Sequence, residues 1–229
     1  MRIPLVTVLL AAGALVGWLG MPVVAAQSAC ADLGGSVDDD QICQVHTANA
    51  TYTLDYTFPV GYPDQQAVAA YLIQTRDGFV NVSDMPGSRD QPYVLDAKGS
   101  AYSSGTPQRT QSLVFEVYQN VGGAHPQTWY KTFNYNEATR APITFDTLFK
   151  PGSKPLDVIF PIVQRELQKQ SGVEQAIAPT IGLDPAHYQN FAITDDSVTF
   201  FFGQGELLPE AAGASQANVP RSAVAALLA

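Results

Sequence analysis

The chain has 229 residues, is 46% hydrophobic and 14% charged, and carries a formal net charge of −9 from 12 Lys+Arg against 21 Asp+Glu. That balance excludes nucleic acid and anionic membrane surfaces as main partners, because both demand a basic face. The length allows one substantial core, or at most two small domains that share one.

The N-terminus reads as a leader. Arg2 precedes an apolar run from Ile3 to Val24 that contains Pro22, and Val24-Ala25-Ala26 fits a small-x-small cleavage rule. The expected organisation is therefore a signal peptide over 1–26 and a single secreted domain over 27–229, without a stable membrane span after cleavage. An uncleaved anchor helix is one alternative. A lipid anchor on Cys30 is another, although Gln27 three residues earlier is a poor lipobox match. Cleavage removes Arg2 alone among the charges and takes the net from −9 to −10. An acidic exported chain suits a soluble protein, and a cationic partner if its partner is charged.

Cys30 and Cys43 are an even pair just inside the mature chain, which points to one disulfide closing a short loop. Closing a loop of that size contributes roughly 3 kcal/mol in the chain-entropy view. Neither Cys-x-x-Cys nor a second ligand pair at zinc spacing is present, so thiol redox and zinc readings fail.

From Val45 to Phe58, Tyr52, Leu54, Tyr56 and Phe58 alternate with Thr51, Thr53, Asp55 and Thr57, which predicts one half-buried strand. Asp64 beside Pro63 opens a predicted helix to about Val82, with Val68, Leu72 and Phe79 on its apolar side. A polar loop over 83–92 leads to a strand over Tyr93–Ala101. Ser112–Asn120 and Thr128–Tyr135 both alternate with period 2, and Val121-Gly122-Gly123-Ala124-His125-Pro126 lies between them. The two glycines allow positive φ and Pro126 cannot join a ladder, so the chain reverses and presents His125 at the tip of an aromatic hairpin.

Ile143–Phe149 is read as a short strand leading into a one-turn cap. A second long helix runs from Pro155 to Gly172, with Pro161 expected to kink it. Phe191–Ile193 and Val198–Phe202 form a tight hairpin around Asp195-Asp196. Gly203–Gly213 is a loop carrying Glu206 and Glu210, Ala217–Val219 an edge strand, and Pro220 opens a last helical turn. About seven strands and two long helices, segregated along the chain, make the class α+β: a mixed sheet with two long helices packed on it.

The pieces Tyr62-Pro63-Asp64-Gln65, Tyr118 to Pro126 (YQNVGGAHP), Ile143 to Leu148 (ITFDTL), Gly182 to Pro185 (GLDP), Tyr188 to Ala192 (YQNFA) and Gly205 to Glu210 (GELLPE) occur in that order across the mature chain. On them the chain resembles the mycobacterial secreted immunogenic proteins, which carry an RsiV-like domain. The resemblance implies export and a β-grasp-like mixed sheet. Relatives of the domain occur in an anti-sigma factor whose outer domain binds lysozyme, and beside a polysaccharide deacetylase whose chemistry belongs to its other domain. The resemblance thus implies a recognition module and supplies no catalytic residues.

Residue patterns agree with that restraint. There is no Gly-x-Ser-x-Gly elbow, no phosphate-cradling glycine loop, and no histidine pair at metal spacing. No cofactor is expected. Asp195-Asp196 are turn neighbours that point apart, not the facing acids of a glycosidase. The candidate binding surface is Gly122, Gly123, His125 and Trp129, joined by the loop of Glu206 and Glu210 with its apolar Leu207-Leu208, since Trp and Tyr favour binding hot spots. The expected function is a non-catalytic recognition module, a monomer outside the cell or on its wall, that binds a protein or envelope ligand of cationic character. The alternative is a cell-envelope serine esterase for short acyl esters, with His125 as base (His187 being the other candidate) and a serine that no motif marks.

Overall fold

The computed structural model describes residues 30–86, 91–123, 125–172 and 177–229. The leader expected over 1–26 lies outside them. Within them the chain folds as α+β around two β-sheets.

The larger sheet has seven strands in sequence order: β1 (Ser36–Val37), β2 (Ile42–Ala48), β3 (Tyr52–Pro59), β4 (Tyr93–Ser104), β5 (Thr110–Asn120), β6 (Gln127–Asn136) and β7 (Ala141–Pro142). All neighbours are antiparallel except β3 and β4, which run parallel and are joined through helix α1 (Gln65–Ser83). The smaller sheet is β8 (Phe191–Ile193), β9 (Ser197–Phe202) and β10 (Ser215–Pro220), antiparallel in the order β10-β9-β8.

The stretch read as one strand from Val45 to Phe58 is a hairpin of β2 and β3. The Asn49 side chain accepts hydrogen bonds from the backbone N–H of Thr51 and of Tyr52, at 2.8 and 2.9 Å, and so reverses the chain without glycine or proline. The piece Ile143–Phe149 is not a strand. Thr144 and Thr147 cap each other to form one helical turn, α2 (Phe145–Leu148), since each side chain accepts the other's backbone N–H. The second long helix, α3 (Leu156–Ser171), runs through Pro161 as a single element and closes on Gly172 at φ 66°.

The two long helices serve different sheets. Leu54, Tyr56, Phe58, Leu95, Leu113, Phe115 and Val117 on the larger sheet bury against Val68, Leu72 and Phe79 of α1. The smaller sheet takes α3, with Ile159, Val163 and Leu167 against Phe200, Phe202, Ala217 and Val219. The three consecutive phenylalanines are all buried: Phe200 and Phe202 face α3, and Phe201 turns to the larger sheet. Two further short helices, α4 (Pro179–Gly182) and α5 (Arg221–Val224), complete that half. A Cβ on Gly182 would sit 2.0 Å from the Phe160 ring, so this turn of α4 docks backbone-first on α3.

The sheets meet along β8. Phe191 donates its N–H to Thr132 Oγ1 at 3.1 Å, Asn134 Nδ2 donates to the Phe191 carbonyl at 2.8 Å, and Ile193 donates its N–H to Ser112 Oγ at 3.1 Å. Buried polar side chains of β5 and β6 thus satisfy an edge strand that would otherwise present unpaired amides. Cys30 and Cys43 form the expected disulfide, with Cα atoms 5.8 Å apart, and pin the N-terminal turn to β2.

Candidate functional site

The hairpin of β5 and β6 is confirmed at Ser112–Asn120 and Thr128–Tyr135, and both strands extend one or two residues further. At its tip Gly122 has φ 73° and lies against the Tyr93 ring, where a Cβ would meet that ring at 3.0 Å. Gly123, His125 and Pro126 are exposed. Trp129 is less available than its position suggests. It lies on the face of β6 that meets α1 and donates its Nε1–H to Tyr71 Oη at 3.0 Å, so it ties helix to sheet.

The loop after β9 comes to the same end. Gln204 donates its N–H to the Thr128 carbonyl at 2.8 Å, and Gly203 packs beside Trp129. Glu206 is held there by two partners: one carboxylate oxygen accepts the Gly203 N–H at 2.7 Å, and the other is 3.4 Å from His187 Nδ1. The pair is about three-quarters buried, with side-chain exposures of 27% for His187 and 25% for Glu206. Leu207 and Leu208 do not form a contact surface. Both are buried in the core under α3, which anchors the loop.

A broad polar face leads away from the hairpin tip. Registers place His46 opposite Asp55, Asp55 opposite Asp96, Asp96 opposite Tyr118 and Tyr118 opposite Thr128, one row across five strands. The next row is Gln44, Thr57, Lys98, Glu116 and Tyr130. These side chains stand opposite the buried α1 face, because alternate residues of a strand point to opposite sides. His46 Nδ1 is 2.6 Å from Asp55 Oδ1, with side-chain exposures of 67% and 50%. Burial, and then the neighbouring Asp55 charge, push the Asp96 carboxyl above its ordinary value. Burial, then Glu116, raises the Tyr130 phenol to about 12.

Two of the three histidines therefore have an orienting carboxylate, and His125 has none among the described residues. No histidine there is hydrogen-bonded to a serine, and no three His, Cys, Asp or Glu side chains gather as a metal site among the described residues. Sequence reading missed both His–carboxylate pairs. His187 and Glu206 are 19 residues apart, and His46 and Asp55 meet only because an unmarked turn makes them cross-strand partners.

A cavity of about 420 Å³ also lies outside the predicted site. It is bordered by α2, the following loop and the start of α3, and Pro185, two residues before His187, closes one side.

Comparison with known proteins covers nearly the whole chain. It is 60% identical over 225 residues to esterase Rv3036c of Mycobacterium tuberculosis, covering 98% of both chains. It is 47% identical to immunogenic protein MPT64 of the same species, over 92% of each. A family model described as a protein of unknown function, DUF3298, matches residues 146–222. A solved DUF3298 family protein from Pseudomonas aeruginosa shares the fold with a TM-score of 0.55 at 12% identity, covering 84% of this chain and 95% of that one. Among the described residues no helix is long and apolar enough to cross a membrane.

Proposed function

The chain belongs to the family of mycobacterial immunogenic proteins, and from that premise we propose that it is an exported envelope protein that hydrolyses short acyl esters. The observation that carries this reading is 60% identity, over 98% of both chains, to a protein named an esterase. It reverses the order that the residue patterns alone favour, in which recognition ranks above catalysis.

Ester hydrolysis needs a base held by an acid and shielded enough from water for its proton transfer to matter. His187 fits better than His125. It is about three-quarters buried and faces Glu206, which the Gly203 N–H in turn fixes. His46 has the shorter contact to its acid but stands in open solvent. The distance of 3.4 Å in the His187 pair is long for a hydrogen bond, and such contacts commonly tighten only with substrate bound.

Turnover of p-nitrophenyl butyrate by the mature chain is the test. His187→Ala should lower kcat by about 10²–10⁴-fold, and His125→Ala should leave it within about twofold. A fluorophosphonate adduct mapped to one serine would name the nucleophile. Absence of both turnover and adduct from a folded, oxidised protein would overturn the reading.

Recognition without chemistry is the second reading, supported by the polar row from His46 to Thr128, exposed at His46 and Asp55, and by the hairpin tip at its end. Its ligand would be cationic, to suit Asp55 and Asp96 side by side. Pull-down with the Asp55→Asn, Asp96→Asn double variant tests it, and retained binding would remove that face from consideration.

A further inference from the structure

The cavity beside α2 belongs neither to the hairpin tip nor to the polar row. Its floor is apolar: Phe145 and Phe149 are buried, with ring centroids 5.2 Å apart and edge to face, and Leu156 is half-buried. Its rim is charged. Lys150 and Lys154, two of the five lysines in the sequence, border it, as do Asp146 and Asp157. The Lys150 ammonium already donates to the Ala226 carbonyl at 2.9 Å, which holds one side of the rim in place. Ser153 is also in the lining, its hydroxyl turned onto the Lys150 carbonyl at 2.7 Å.

Lys150 and Lys154 stand over a floor of aromatic and aliphatic carbon, with Asp146 and Asp157 beside them on the rim, and this suits an amphiphile with a short apolar body and a negative head seated at the two ammonium groups. The volume lies within the range of small-molecule sites, and the ammonium groups supply charge-assisted hydrogen bonds that a neutral head could not match. We infer that this cavity binds short-chain carboxylates, taking the alkyl tail on Phe145, Phe149 and Leu156 and the carboxylate at Lys154 and Lys150. In the ester-hydrolase reading, on which the inference rests for its substrate name, it holds the released acid.

The probe is sodium hexanoate, titrated into the mature protein and followed by amide chemical shifts, with 1-hexanol as the matched neutral ligand. Saturable shifts over 150–157, tighter for hexanoate than for hexanol, are expected. Lys154 is exposed, so Lys154→Glu keeps the fold and should weaken hexanoate about fivefold or more while leaving hexanol within about twofold. Leu156→Trp should block both. Shifts that do not saturate, or a response to Lys154→Glu equal for the two ligands, would overturn the inference. Ester turnover is scored separately. Hexanoate binding without turnover keeps the cavity and removes the hydrolase reading, and turnover without hexanoate binding does the reverse.

Discussion

Trp129 shows how a single residue can satisfy a sequence argument and still play another part. Its strand position is as predicted, on the same face as Lys131, Phe133 and Tyr135, and that face is the one α1 covers. The indole donates to Tyr71, and burial raises the Tyr71 phenol above its usual value although this hydrogen bond opposes the shift. Trp129→Ala should therefore lower stability by about 2 kcal/mol, below the cost for a fully buried ring. Trp129→Phe should cost about 1 kcal/mol, the size of a lost hydrogen bond. Urea midpoints by circular dichroism check both, and a Trp129→Ala protein as stable as the parent would return the residue to the binding surface. His125 and Gly122 were legible from glycine and proline chemistry alone. The His187–Glu206 pair was not, because residues on a 3₁₀ turn and in an unpatterned loop come together only through tertiary packing.

At the scale of elements, the sequence marked those that announce themselves by period or by cap. Helix α1 begins at Gln65 because Asp64 accepts the Ala67 N–H, and the β5–β6 hairpin alternates along its whole length. It failed where a turn used an asparagine side chain, as between β2 and β3, and where two threonines capped a single turn. The parallel step from β3 to β4 follows the predicted strand–helix–strand order, but its register was not legible, and that register sets Asp55 beside Asp96. That juxtaposition has a pH consequence. The Asp96 carboxyl is raised in the folded state, chiefly by burial and then by the Asp55 charge, so folding favours its protonated form. The native chain holds a proton that the unfolded chain has released, and stability must fall as pH rises from the ordinary carboxylate value through the raised one. Asp96→Asn should raise the thermal midpoint at pH 7 and give no gain near pH 3. An equal change at both values would show that the effect is not titration.

The whole molecule is two sheet–helix pairs joined at a narrow seam. The buried apolar part of the seam is Val114, Ala192 and Phe201, with Tyr102 and Tyr130 packed beside them, while each half has a much larger core of its own. Hydrogen bonds between β8 and Thr132, Asn134 and Ser112 add to it, and losing one leaves a buried backbone polar group unpaired at about 1–3 kcal/mol. The candidate sites lie on opposite sides of this join: the polar row belongs to the larger sheet, and His187, Glu206 and the cavity belong to the smaller half. Within residues 27–229 Trp129 is the sole tryptophan and reports on the larger half, whereas far-ultraviolet circular dichroism reports on both. The two probes should trace one coincident urea transition in the parent. Thr132→Val with Phe201→Ala strips the Phe191 amide of its acceptor and opens a cavity at the ring. In that variant the circular dichroism curve should begin to fall before the Trp129 signal, as the smaller half comes away first. Coincident curves with an unchanged slope would mean that the two layers unfold as one unit whatever the state of the join.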